Sequence, residues 1–320
     1  MLGGRLIVRA LQRADSKLPS LLTPLTKLFA NSFVAKIFPK LSTLKNLIVS
    51  TSLDYGPECN EDFSDINVGL LYVAHQKDFH NLEFSLKCAI DSLRQYSLVQ
   101  ITIIVPDSQI EACKSLLKNL EVKITIMAES EFMEKAEIAE LQSKFLERRG
   151  WALQQILKLK FVMRSQINNW LVVDADTFLL RRRNWIDRSG RQILMQSWES
   201  HDPYYQFLEH AKLDINRNFS FITHHMFYQK HLLCQALAEV GVHQQEQLVP
   251  LTLTSDSNQN SGFSIDYELY GQYLLNYKPE FIRLEKWSNI SIDEKVPSTQ
   301  IAQMERSYAS VSLHDYLAEK

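Results

Sequence analysis

Cysteine, glycine and proline are scarce in this 320-residue sequence. The four cysteines form no CxxC pair, which excludes a zinc ribbon and a disulfide-stapled scaffold and favours reduced thiols in a cytoplasmic protein. Glycine and proline number nine each, so collagen-like and low-complexity chains are also excluded. No apolar run approaches the roughly 20 residues of a membrane-spanning helix. The N-terminus lacks the uninterrupted apolar block of a secretory signal. These absences predict a globular cytoplasmic protein.

Charge is distributed unevenly along the chain. The net charge of −2 argues against nucleic acid as a partner, yet residues 1–50 carry eight lysines and arginines against one acid. That stretch therefore has a charge of +7, and the remainder has −9. Two hypotheses remain open: peripheral contact with the inner membrane surface, or an arm packed on the following domain. We predict a basic amphipathic extension over residues 1–60 and one main domain over residues 61–320.

Strand and helix patterns alternate through the main domain. Short apolar runs predict strands at 67–74, 100–105, 122–127, 170–173, 192–196 and 221–223. Helical spacing predicts helices at 79–96, 108–120, 151–167, 230–240 and 265–276. Strands that alternate with helices are typical of a parallel sheet with crossover helices. The predicted fold class is α/β, with a Rossmann-like, mostly parallel central sheet flanked by helices.

The strongest chemical signal is the string WLVVDADTFLL, residues 170–180. An apolar strand here delivers Asp174 and Asp176 at its carboxyl end, where ligands bind in open α/β sheets. Side chains two positions apart on an extended chain point the same way, so both carboxylates can converge on one hard cation. The two acids repel each other when no cation is present. The other interpretation is a strand-end turn that an aspartate caps.

Four segments together resemble the GT-A glycosyltransferase superfamily, and within it a bacterial group of uncharacterised members. They are GWALQQILKLKFV (150–162), NWLVVDADTFLLR (169–181), FSFITHHMFYQKHLL (219–233) and FSIDYELYGQYLLNYKPE (263–280). Their joint occurrence in this order is more specific than the DxD string alone, and it implies a GT-A-like fold and glycosyl transfer. The resemblance does not include residues 1–60, and it names no sugar.

The resemblance also implies roles for particular residues. GT-A enzymes use the DxD pair for Mn²⁺ or Mg²⁺ and the donor, which assigns metal binding to Asp174 and Asp176 and donor contact to Asp174. Many members carry a catalytic base at a later helix start, where this chain has Asp266 and Glu268. Glu268 matches the more regular position, and Asp266 replaces what is commonly Glu. Many members also have a C-terminal histidine as a further metal ligand, a role that His314 matches here.

Other candidates come from position and spacing. His224 and His225 follow a predicted strand, where at most one faces the site, and we assign His225 to the donor. It competes with His314 for the third metal position. Gln155 and Lys158 lie on the helix before the DxD strand and could hold a sugar hydroxyl and a phosphate, or merely form a solvated face. The resemblance to GT-A enzymes also implies that Asp78, in the loop after the first strand, contacts the nucleoside; the other interpretation is a cap of the next helix.

The sequence therefore predicts a metal-dependent glycosyltransferase that moves a sugar from a UDP- or GDP-sugar to a saccharide, lipid or protein acceptor. One rival is a nucleotidyltransferase, although the loop VAHQKDF lacks the glycines of a phosphate-binding turn. The other rival is a catalytically silent domain of the same fold that binds a glycan or a protein. Two intact, mutually repelling acids argue against a silent domain.

Overall fold

The computed structural model describes residues 61–197, 199, 201–253, 263–292, 304 and 308–313. The α/β prediction is confirmed. The strands are β1 Phe63–Val73, β2 Tyr96–Val105, β3 Thr125–Ala128, β4 Asn169–Asp174, β5 Thr177–Leu179, β6 Gln192–Gln196, β7 His225–Gln229, β8 Ile282–Lys286, β9 Asn289–Ile292 and β10 Ser310–Leu313. The helices are α1 Phe79–Ser92, α2 Ile110–Leu117, α3 Lys135–Phe145, α4 Arg149–Arg164, α5 Asp202–His210, α6 Lys230–Glu239, α7 Leu248–Leu253 and α8 Tyr267–Tyr277.

A five-stranded sheet with the order β3-β2-β1-β4-β7 forms the centre of the fold. The first four strands are parallel, and β7 runs antiparallel to β4. Smaller sheets are formed by β5, β10 and β9 and by β6 and β8. Because four parallel strands end at one edge, the loops after β1, β2 and β4 lie together there.

Alternation along β4 explains why helices cover both faces of this sheet. Trp170 and Val172 pack on one face with residues of α4, α6 and α8, and Leu171 and Val173 pack on the other with α1 and α2. Successive side chains of a strand point to opposite faces, so a fully apolar strand is the expected pattern for a sheet buried on both sides. The same alternation places Asp174 on the α4 face.

The expected strand at 221–223 is wrong, because β7 begins only at His225. The segment before it is held by side chains instead. Glu268 of α8 accepts a hydrogen bond from the backbone N–H of Phe221 at 2.9 Å. His224 has a φ of 61°, the left-handed region, which breaks the extended path. Residues Leu248–Leu253, for which the sequence patterns predict no helix, form the short helix α7.

Within the described residues, no helix combines the length and apolarity that crossing a membrane requires. The predicted basic extension, residues 1–60, lies outside the described residues.

Candidate active site

A cleft of about 750 Å³ opens at the carboxyl edge of the central sheet. The ends of β1, β2 and β4 form its floor, and the first turns of α4 form one wall. An adjoining part of about 300 Å³ extends towards α5 and α8. Asp174 and Asp176 line both parts, as do Asp78, Trp151 and Gln154. The cleft therefore lies where parallel α/β sheets bind ligands, and both predicted acids face it.

Asp174 is neutralised by groups of the protein itself. Its Oδ1 accepts hydrogen bonds from Lys158 Nζ and from Tyr267 OH, both at 2.6 Å. His224 Nδ1 lies 3.5 Å from Oδ2. Burial opposes ionisation of Asp174, but the charge of Lys158 and the contact with His224 hold its pKa below the ordinary range. Asp174 is thus a carboxylate fixed from both sides.

Lys158 is almost fully buried and uses its ammonium group inside the protein. It donates to Asp174, to Asp266 Oδ2 at 3.2 Å and to Tyr267 OH at 3.0 Å. A lysine has three donors, so this arrangement leaves none for a phosphate. Lys158 is therefore a buried counter-ion between two carboxylates. Neither the predicted phosphate contact nor the solvated helix face describes its position.

Asp176 has no lysine or histidine in hydrogen-bond contact with its carboxylate within the part of the chain that the structure describes. β4 ends at Asp174, so Asp176 lies in a turn rather than on an extended chain. Both carboxylates face the same cleft, but not through the strand geometry that we expected. Thr177 Oγ1 is 3.4 Å from the carboxylate. Burial and then the neighbouring charge of Asp174 raise the pKa of Asp176 to about 7. The charges of His224 and Lys77 oppose this rise without cancelling it. A partly buried carboxylate beside a second one fits a hard divalent cation with oxygen ligands.

Further ligands for such a cation are not assembled among the described residues. No three histidine, cysteine, aspartate or glutamate side chains gather there as a metal cluster. The backbone N–H of Leu313 donates to the carbonyl of Asp176 at 2.9 Å, which brings β10 to the cleft. His314, the predicted third ligand, follows Leu313 and lies outside the described residues.

Of the two adjacent histidines, His224 faces the cleft and His225 does not. His224 Nε2 is 3.2 Å from Glu199 Oε2, so its ring lies between Asp174 and Glu199. His225 is buried against Trp185 and Trp287. We predicted that His225 would face the cleft, and His224 does so instead. The left-handed backbone of His224 explains the difference, because it turns the ring away from the direction that a strand would give.

The two predicted base residues also separate. Asp266 lines the smaller part of the cleft and caps α8, accepting the N–H of Tyr267 at 2.8 Å. Glu268 is fully buried away from the cleft, where it binds Ser220, Phe221 and Gln272. Burial raises the pKa of Glu268 to about 7. Its contacts are those of a structural clamp, and the reaction proposed below does not use it.

Asp78 and Gln155 have different surroundings. Asp78 lines both parts of the cleft and makes no capping hydrogen bond to α1. Gln155 is buried, accepts the N–H of Ile265 at 3.0 Å and donates to the carbonyl of Phe263 at 3.3 Å. Gln155 therefore holds the segment that leads to Asp266, rather than a sugar hydroxyl in the cleft.

Sequence reasoning missed two residues of this site, Glu199 and Tyr267. Tyr267 reaches Asp174 across 93 positions of sequence, and Glu199 reaches His224 across 25. No residue spacing or motif in the sequence predicts either contact. For Tyr267 the one available signal is its place directly after Asp266 at a helix start.

Fold and site together define an α/β protein with a cleft lined by acidic side chains at the carboxyl edge of its sheet. The chain belongs to the DUF6492 family, a family of unknown function, whose model matches residues 67–277.

Two solved structures resemble the chain weakly. The apo form of mouse xyloside xylosyltransferase 1 has a TM-score of 0.42 and 12% identity, covering 77% of this chain and 97% of that one. An active-site mutant of LgtC has a TM-score of 0.43 and 9% identity, covering 77% and 86%. Similarity at this level carries no functional argument. No curated protein matches the chain.

Proposed function

We propose that this protein is a metal-dependent glycosyltransferase that uses a UDP- or GDP-sugar as donor. One observation supports the proposal most strongly. Two carboxylates from one strand end face the same cleft, and among the described residues a lysine forms an ion pair with Asp174 but not with Asp176. Two neighbouring carboxylates in a partly enclosed cleft repel each other, and a cation that arrives with a ligand would relieve that repulsion. The four segments that resemble GT-A enzymes point to the same chemistry.

Asp176 and Asp174 are the residues that would hold Mn²⁺ or Mg²⁺, with His314 as the predicted further ligand. A divalent ion bound there would neutralise the departing nucleoside diphosphate. Asp78 and the loop after β1 line the larger part of the cleft, which we assign to the nucleotide. Its volume of about 750 Å³ lies within the usual range for a site of this kind.

We assign the acceptor, a saccharide or a lipid-linked saccharide, to the smaller part of the cleft. Of the acids that line this part we assign Asp266 as general base, and burial, offset in part by Lys158, raises its pKa above the ordinary value. In that role its carboxylate takes the proton of the acceptor hydroxyl while the bond between the sugar and the diphosphate breaks. Asp266 must then exchange its contact with Lys158 for one with the acceptor.

Isothermal titration of UDP and GDP, each with and without Mn²⁺, tests the donor half of the proposal. We expect binding of one diphosphate that strengthens at least tenfold with Mn²⁺. Asp176→Asn should abolish that gain, and a chelator should reverse it in the wild type. Asp214→Asn, which changes an exposed acid outside the cleft, is the matched control and should bind as the wild type does.

Other results would favour the rivals. Tighter binding of a nucleoside triphosphate than of either diphosphate would indicate a nucleotidyltransferase. Absence of any nucleotide binding would leave the silent domain. A screen of nucleotide sugars for Mn²⁺-dependent hydrolysis, with Asp176→Asn as control, then identifies the donor.

We also propose that residues 1–50 contact an anionic membrane surface from the cytoplasmic side. The support is their charge of +7, against −9 for the rest of the chain. Such contact would bring the cleft close to a lipid-linked acceptor.

A further inference from the structure

His224 has a backbone conformation that its residue type disfavours. Its φ of 61° lies in the left-handed region, which costs a non-glycine residue energy and persists only where surrounding contacts maintain it. Leu146 and Lys212 share a positive φ among the described non-glycine residues, but both are exposed. The carbonyl of His224 accepts the N–H of Asp174 at 2.9 Å. The strained residue is therefore joined directly to the end of β4.

Both ring nitrogens of His224 contact carboxylates inside the cleft. Nδ1 is 3.5 Å from Asp174 Oδ2, and Nε2 is 3.2 Å from Glu199 Oε2. The side chain is only 12% exposed. With Lys158 and Tyr267 on Oδ1, the ring completes contacts on both oxygens of Asp174. Rotation of that carboxylate would break one set or the other.

We propose that His224 is a positioning residue, which orients Asp174 towards the bound metal and nucleotide and is itself held by Glu199. The proposal rests on the proposed function, because it concerns the same Asp174. Partners that orient a ligand carboxylate typically contribute 10- to 100-fold to metal affinity. The left-handed backbone supplies the ring direction, since the next residue, His225, follows the strand and turns into the core.

Glycine substitution separates the ring from the backbone. Because glycine adopts positive φ without strain, His224→Gly removes the ring and keeps the path of the chain. The matched control is Lys212→Gly, which changes an exposed residue with a φ of 63°. Titration of the full chain with Mn²⁺ plus UDP and with Mn²⁺ plus GDP measures affinity. Thermal unfolding without metal measures folding.

We expect His224→Gly to unfold cooperatively and to bind the Mn²⁺–nucleotide pair about tenfold or more weakly. Lys212→Gly should keep wild-type affinity. Wild-type affinity in His224→Gly would overturn the proposal while leaving the proposed function intact. Absence of Mn²⁺-dependent nucleotide binding in the wild-type protein would overturn both the role of His224 and the proposed function.

Glu199→Gln provides a second variant that leaves the backbone unchanged. Glu199 contacts His224, so its effect on affinity should pass through the ring. We expect a loss of a few-fold in the wild-type background and none in His224→Gly, which is a coupling that a double-mutant cycle measures. If His224→Gly fails to fold, unchanged affinity of Glu199→Gln alone still overturns the proposal. Equal losses in both backgrounds would also overturn it.

Discussion

Lys158 is the residue on which the buried charges of the cleft depend. Its ammonium lies between Asp174 and Asp266, and its side chain is 1% exposed. Two carboxylates and a lysine taken out of water are costly, and their mutual attraction offsets that cost only while all three are present. Removal of the lysine would take the ammonium partner from both acids, and Asp174 would keep its contact with His224.

We therefore expect Lys158→Met to lower the free energy of unfolding by about 3 kcal/mol, because a buried ion pair loses one partner. Lys87→Met removes an exposed pair with Glu83 and should cost less than about 0.5 kcal/mol. Urea unfolding monitored by tryptophan fluorescence measures both variants. Similar values for the two would contradict this account of Lys158.

His225 makes stability depend on pH. Burial, opposed by the contact of its ring with the Thr223 carbonyl, lowers the pKa of His225 to about 3. Below the unfolded-state pKa of about 6.5 the unfolded chain takes up a proton that the folded one refuses. The contribution of His225 is thus complete above that pH and is lost progressively as the pH falls towards 3.

We expect His225→Phe, which cannot titrate, to reduce the fall in unfolding free energy between pH 6.5 and pH 5 by about 1.6 kcal/mol, because the slope due to His225 rises from about 0.7 to nearly 1.4 kcal/mol per pH unit across this range. Phenylalanine keeps an aromatic ring between Trp185 and Trp287, where His225 lies. Urea titrations across this range measure the slope for both proteins. Parallel slopes would show that His225 is not buried as a neutral ring.

At the scale of elements, α8 shapes the segment that leads into β7. Glu268 holds the N–H of Phe221, and the ring of Phe221 packs directly on Gly271. A β-carbon at Gly271 would lie 2.2 Å from two atoms of that ring. This close approach allows the chain to reach His224 beside Asp174.

Gly271→Ala tests this contact. Helix propensity alone would favour alanine by about 1 kcal/mol, but overpacking costs about 1–3 kcal/mol, so we expect a net loss of about 1 kcal/mol. Gly150→Ala is the matched control in α4, where an added β-carbon meets nothing within 4 Å. That variant should gain up to about 1 kcal/mol. Thermal unfolding distinguishes the two, and stabilisation by both would contradict the packing argument.

At the scale of the whole molecule, charge is separated along the chain. If residues 1–50 contact anionic lipid, the full chain should co-sediment with phosphatidylserine vesicles and dissociate at about 0.5 M salt, because salt screens such contacts. The test variant carries glutamate at three lysines, Lys36, Lys40 and Lys45. The control variant carries it at three exposed lysines of the main domain, Lys118, Lys123 and Lys212. Both have the same net charge, and equal loss of sedimentation would refute specific contact.

Strands β1 to β4 and β6 and helices α1, α2, α4, α6 and α8 could be predicted, but strands β5, β8, β9 and β10, helix α5 and the ends of the elements could not. Apolar runs and helical spacing report which residues are buried, and this is enough to recognise a strand that helices cover on both faces. They do not report where such a strand begins or ends. The start of β7 was missed because Glu268, 47 positions away from Phe221 in sequence, holds the segment before it. The pattern of residues within one segment does not indicate a partner as distant in sequence as Glu268.

The sequence by itself determined the α/β class and the delivery of Asp174 and Asp176 at a strand end, because both follow from patterns within a few neighbouring residues. Only the tertiary structure decided that Lys158 neutralises Asp174 and that His224 rather than His225 faces the cleft. These outcomes depend on side chains that approach through space from α4, α8 and the loop containing Glu199. Electrostatic attraction acts over distance in space, whereas sequence records only distance along the chain.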